Sequence, residues 1–180
     1  RLTLEQTLLV SPKGWKTEGS RMFLDPKVPV SVSDLIRGMI VQSGNDAAVA
    51  LAEATSGSED AFAVRMNQTA EQLGLKDSHF LNASGFFDNA EPRHYSTAHD
   101  MARLAQSLIR DHPEVHAVHA LKEFTHDKIK QQNRNRLLWL DPTVDGLKTG
   151  HSNNAGYCLV ATANRNGQRL ISVVLGTASD

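Results

Sequence analysis

The stretch AGYCLVATANRNGQRLISVVLG, residues 155–176, holds two runs rich in β-branched and aliphatic residues, split by Asn166-Gly167. Asparagine and glycine both accept positive φ, which the two-residue turn of a tight hairpin demands at both positions. This pair therefore commits the last third of the chain to antiparallel strands. EFTHDKIKQQ, residues 123–132, is a weaker strand candidate.

Upstream the period changes from two to 3.6. SVSDLIRGMIVQ offers Ser31 or Ser33 as a cap, with Leu35, Ile36, Met39 and Ile40 at helical spacing. DAAVALAEAT reads as a second helix, capped by Asn45 or Asp46 and ended at Ser56-Gly57. A third opens at Ser58, carries Glu59 and Asp60 in its first turn and closes at Gly74. A fourth runs from Thr97, with Asp100 three residues on, through MARLAQSLIRD, and Pro113 follows its end. The long segment FLNASGFFDNAEPRHYS reads as a functional loop. The sum is an α+β fold, a helical cluster packed on an antiparallel sheet, with both chain ends placed to supply further strands.

Composition narrows the classes. A chain of 180 residues with 40% hydrophobic content can bury a core, and a net charge of −1 with scattered basic residues excludes a nucleic-acid stripe. The longest wholly apolar run, AAVALA, is too short to span a bilayer. The single cysteine, Cys158, excludes an internal disulfide and reads as a small buried hydrophobe in a strand. His112, His116 and His119 sit at helical spacing, but no carboxylate constellation accompanies them. A solvated helix face is the expectation there, and no metal site. Arg1 is not an initiator methionine, and no signal peptide precedes it, so the chain reads as a processed or excised piece of a longer protein.

Two motifs interrupt these patterns. SGND, residues 43–46, sets four polar residues between two apolar helices. Taken alone it is a helix-to-helix turn, with Gly44 relaxing the backbone. DGLKTGHS then places Lys148, Thr149 and Gly150 just before the hairpin. In a strand, Lys148 and Gly150 share a face, and the glycine leaves room for a substrate backbone to lie alongside while the lysine offers a positive charge. Alone, Lys148 reads equally as an edge lysine that discourages aggregation.

Ser-x-Asn followed 105 residues later by Lys-Thr-Gly, with helices before and a hairpin after, resembles the penicillin-recognising serine acyltransferases. The match is to low-molecular-mass penicillin-binding proteins, the D-alanyl-D-alanine carboxypeptidases. LIRGMIVQSGNDAAVALAE, MNQTAEQLGLKDSHFLNASG, STAHDMARLAQSLIRD, NRNRLLW and VDGLKTGHSNNAGYCLVATA carry the likeness through nearly the whole chain. The resemblance implies one partial catalytic domain over 1–180 with a β-lactamase/transpeptidase-like fold, incomplete at both ends. It implies an acyl-enzyme reaction on peptidoglycan stem peptides ending in D-Ala-D-Ala, and acylation by β-lactam antibiotics. Ser43 would relay protons to the leaving amine, Asn45 would hold the substrate amide, and Lys148 would bind charge and tune the relay. Thr149 and His151 would face the terminal carboxylate, with Gly150 giving the substrate backbone room and Arg134 of NRNRLLW near the same end of the cleft. The hydroxyl at position 43 and the ammonium at position 148 are thus expected to line one groove.

The family's attacking serine lies in a Ser-x-x-Lys tetrad, and no serine of this sequence has lysine three residues on. The resemblance places that tetrad upstream of the residues given, so the isolated chain is expected to be a non-catalytic binding or structural fragment. A class A β-lactamase is the other enzymatic alternative, yet no glutamate here precedes an asparagine by four residues, as its deacylating loop requires. No metal or organic cofactor is implied, and no nucleic-acid partner. The expected location is periplasmic or cell-surface, associated with the inner membrane through segments not in this sequence. SPKGWKTEGSR, residues 11–21, matches a cleft-bordering loop, with Trp15 as a lid, against a plain mobile loop. Ser84-Gly85 reads as a turn and Trp139 as core.

Overall fold

The computed structural model describes residues 2–87 and 91–179; Arg1, Asp180 and residues 88–90 of the expected long loop lie outside them. In chain order the elements are β1 (Thr7–Leu8), α1 (Pro12–Lys16), β2 (Val30–Ser31), α2 (Val32–Val41), α3 (Asn45–Ser56), α4 (Glu59–Gln72) and α5 (Ala98–Asp111). There follow α6 (Pro113–His119), β3 (Glu123–His126), β4 (Ile129–Gln132), α7 (Leu137–Leu140), β5 (Val144–Ser152), β6 (Gly156–Arg165) and β7 (Gln168–Thr177). Contacts divide the chain into two compact units, one of residues 1–66, 80–86 and 123–133, the other of residues 67–79, 87–122 and 134–180.

The first unit is built on α2 and α3. Ser31 caps α2, its Oγ accepting from the Asp34 N–H at 3.1 Å, which settles the choice between the two serines. The alanines of α3 present little bulk, so the core closes around Met22, Leu24, Leu35, Ala47 and Ala50. Met22 is wholly buried, an apolar burial that stabilises by roughly 1.5–3 kcal/mol. It lies so close to α2 that a Cβ at Gly38 would fall 2.6 Å from its Cγ. Gly57, at φ +83°, ends α3 where expected, and Ser58 Oγ accepts from the Ala61 N–H at 3.1 Å. The single strand expected over residues 123–132 is instead the hairpin β3–β4, turning at Asp127 (φ +43°) and Lys128 (φ +64°). Asp-Lys lacks the glycine that usually marks such a turn, so the sequence signal was weak. Gln131 donates to the Met22 carbonyl at 2.9 Å and anchors this hairpin to the core.

The second unit carries an antiparallel sheet in the order β5-β6-β7. β6 and β7 turn at Asn166 (φ +52°) and Gly167 (φ +80°), as the Asn-Gly pair dictates. Helices α5 and α6 pack on β7 and β5 respectively. Thr97 caps α5, its hydroxyl accepting from the Asp100 N–H at 3.2 Å. Pro113, read as a stop, is also the first residue of α6, where its missing N–H costs nothing.

Three expectations are corrected here. His116 and His119 are buried, because α6 turns that face onto β5; only His112 is exposed. Trp139 is 46% exposed, and Leu138 is the α7 residue that enters the interior. Cys158 is half-buried rather than enclosed. Among the described residues, no helix is long and apolar enough to cross a membrane.

Candidate active site

In the first unit, α2 stops at Val41 and the chain turns sharply at Ser43, whose φ of +62° is left-handed. A serine in that region costs on the order of 1 kcal/mol, a strain kept where surrounding contacts enforce it. The Gly44 N–H returns to the Gly38 carbonyl at 3.1 Å. A Cβ on Gly44 would lie 3.0 Å from Asp46 Oδ1 and 3.1 Å from the Met22 nitrogen, so a side chain there would press on both. Neither Asn45 nor Asp46 caps α3 as expected; Gly44 holds the cap position without a side-chain bond. Both side chains are committed to another task.

That task is to dock residues 18–24 against the corner. Asn45 Nδ2 donates to the Glu18 carbonyl at 2.7 Å, and its N–H donates to the Ser20 carbonyl at 2.8 Å. The Asp46 carboxylate, 1% exposed, accepts from the N–H groups of Met22 (2.8 Å), Phe23 (3.0 Å), Leu24 (3.2 Å) and Ala47 (2.9 Å). Buried backbone donors need partners, and one carboxylate serves four of them. Ser43 is half-buried beside this array. Residues 11–21 are not simply a loop: Ser11 caps α1, its Oγ accepting from the Gly14 N–H at 3.0 Å, and Trp15 on that helix is exposed. Ser84-Gly85 is a turn closed by Asn82 Oδ1, which accepts from both N–H groups at 3.2 and 2.6 Å.

In the second unit, β5 presents Lys148, Thr149, Gly150 and His151 in series. Among the described residues β5 pairs only with β6, Lys148 opposite Val160 and Gly150 opposite Cys158. Among the described residues, a Cβ on Gly150 would meet Cys158 Cβ at 3.8 Å, an ordinary contact. The Lys148 ammonium donates to the Thr149 carbonyl at 2.8 Å. Burial, and then the Arg134 charge, lower its pKa from 10.5 to about 8. Thr149 is half-buried, while Arg134 and His151 are exposed; the His151 ring lies 4.1 Å from that of Tyr157.

Each unit thus brings its own set together: Ser43 and Asn45 in the first, Lys148 with Arg134, Thr149, Gly150 and His151 in the second. Sequence reasoning missed Asp46 as the organiser of the first set and His119 beneath the second. The former was masked by its resemblance to an ordinary cap, the latter by histidine spacing that reads as a solvated helix face.

Burial lowers the His119 pKa from 6.5 to about 4, against a hydrogen bond to Leu147 that raises it; the charges of His116 and Lys148 lower it further. Between these values the unfolded chain holds the proton and the folded chain does not. Stability therefore falls as pH drops from about 6.5 toward 4, and His119 adds no further loss below that. Denaturant midpoints across this window should decline, and the slope should be shallower in His119→Asn.

Solved structures define the class. Penicillin-binding protein 5 from Haemophilus influenzae matches 97% of this chain with a TM-score of 0.92 and 46% identity, the match covering 52% of that chain. Penicillin-binding protein D2 from Listeria monocytogenes, in its ampicillin-bound form, matches 99% with a TM-score of 0.86 and 34% identity, covering 72% of that chain. The fold is that of the penicillin-binding and β-lactamase-like proteins. The profile of the D-alanyl-D-alanine carboxypeptidase family, Peptidase_S11, matches residues 1–179, and the chain belongs to that family. The D-alanyl-D-alanine carboxypeptidase DacC of Escherichia coli K12 is 46% identical across 100% of this chain, which spans 46% of that relative's length.

Proposed function

We propose that this chain is part of a serine-type D-Ala-D-Ala carboxypeptidase that removes the terminal D-alanine of peptidoglycan pentapeptides through an acyl-enzyme, and that β-lactams acylate the same serine. The family membership carries this reading. The attacking serine and its lysine base come from sequence beyond these 180 residues, since no Ser-x-x-Lys occurs within them. Both units then belong to one catalytic domain.

Ser43 passes the proton to the departing D-alanine nitrogen, and Asn45 holds the scissile amide's flank. Lys148 supplies a positive charge that favours proton loss from the base lysine, and with Thr149, His151 and Arg134 it receives the substrate's terminal carboxylate. The open strand at Gly150 admits the substrate backbone. The strain at Ser43 supports its role, as a left-handed serine next to a corner pinned by residues 18–24 is aimed rather than merely turned. A Lys148 pKa of about 8 means that the charge is present at neutral pH and fades above pH 8, so acylation should decline there. Such an enzyme acts outside the cytoplasmic membrane, in the periplasm or at the cell surface, and any membrane anchor lies in other segments.

The test uses the full-length protein. Fluorescent penicillin should label it covalently, and a D-Ala-D-Ala peptide should release D-alanine. The 180-residue chain alone should do neither. Labelling absent from the full-length protein, or release by the chain alone, would refute the assignment.

A further inference from the structure

Two buried side chains hold β5 immediately ahead of Lys148. His119 Nδ1 lies 2.9 Å from the Leu147 carbonyl oxygen, and Asn135 Nδ2 donates to the Gly146 carbonyl oxygen at 2.9 Å. A carbonyl only accepts, so His119 carries its proton on Nδ1. The β5–β6 register is irregular between Val144 and Gly146 and regular from Gly146 through Lys148, so the two side chains grip β5 where its ladder resumes. The strand also lies hard against the imidazoles. A Cβ on Gly146 would fall 3.4 Å from His119 Cβ, 3.5 Å from His116 Nε2 and 2.8 Å from Thr162 Oγ1.

We propose that His119 is a positioning residue whose Nδ1–H grips the Leu147 carbonyl and thereby aims the Lys148 ammonium, an inference that rests on Lys148 being the working charge of the carboxypeptidase. The groups around it fit that task. On α6, the His116 ring is 6.5 Å from that of His119, and His116 Nε2 is 3.3 Å from Thr162 Oγ1. The Thr162 hydroxyl donates to Asp145 on β5 at 2.9 Å, and Arg169 from β7 holds both oxygens of that carboxylate at 2.7 and 2.6 Å. Asp145 and Arg169 thus neutralise one another, and burial keeps His119 uncharged at neutral pH, with a single N–H to give. The Lys148 charge also bears on His119, and the Arg134 charge on Lys148.

His119→Leu removes the donor and His119→Asn returns an N–H at similar reach. In the full-length protein, His119→Leu should slow penicillin acylation about tenfold to a hundredfold, the loss that a small misplacement of a catalytic charge brings. It should also move the Lys148 titration, followed by NMR of the lysine side chain, upward from about 8 as the ammonium loosens toward water. His119→Asn should restore both. A melting temperature that falls in His119→Leu while acylation rate and Lys148 titration stay at wild-type values would make His119 merely structural and overturn the proposal. Should the wild-type protein fail to react with penicillin at all, the functional reading falls, while the Lys148 titration still decides the grip.

Discussion

Replacing Asp46 by alanine should lower the unfolding free energy by about 3–5 kcal/mol, among the largest losses available to a single side chain. The carboxylate accepts four backbone N–H groups, and those of Met22 and Leu24 belong to buried residues. Each orphaned buried donor costs roughly 1–3 kcal/mol, and bonds to a charged acceptor sit at the upper end. Met22 is itself the residue around which the first unit closes, so loosening its backbone disturbs packing with α2 as well as the bonds themselves. Asp46→Asn keeps one acceptor oxygen and should fall between. Urea midpoints at constant slope measure the loss. A change below about 1 kcal/mol would mean that solvent or neighbouring groups replace the carboxylate, and residues 18–24 would not depend on it.

Lys148→Ala should show the opposite balance, with catalysis lost and stability kept. In the full-length protein its acylation rate constant with penicillin should drop by about a hundredfold or more, the effect of removing a preorganised charge from a developing transition state. The lowered pKa gives the sign for stability: folding disfavours this ammonium relative to water. Removing it should therefore leave the melting temperature at neutral pH unchanged or slightly raised. Lys148→Arg should not rescue the rate, since a planar guanidinium differs in shape and reach from the compact ammonium that this position holds. A mutant that loses rate and stability together would point to a structural lysine.

The sequence was legible where one residue type had one reason to be present. Asn166-Gly167 has few uses other than a primed turn, and the hairpin follows it. Ser31, Thr97 and Gly57 end or begin helices because their side chains or backbone freedom suit those places. It was opaque where a residue serves a partner far along the chain. Asp46 looks like a cap, yet three of its four backbone partners lie at residues 22–24. His116 and His119 look like a solvated stripe until α6 is placed on β5. Trp139, following two leucines, reads as core, yet Leu138 beside it takes that place. The motifs at 43–45 and 148–150 stood out only as a pair, through a likeness that the family match supports.

The most direct test of whether these two motifs serve one reaction is a double-mutant cycle on the acylation rate constant of the full-length protein, using Ser43→Ala, Lys148→Ala and both together. Residues acting as a unit lose activity non-additively, so the double mutant should react little more slowly than the worse single mutant. Losses that simply multiply would show that the hydroxyl and the ammonium act independently, and the proposed division of labour would be wrong.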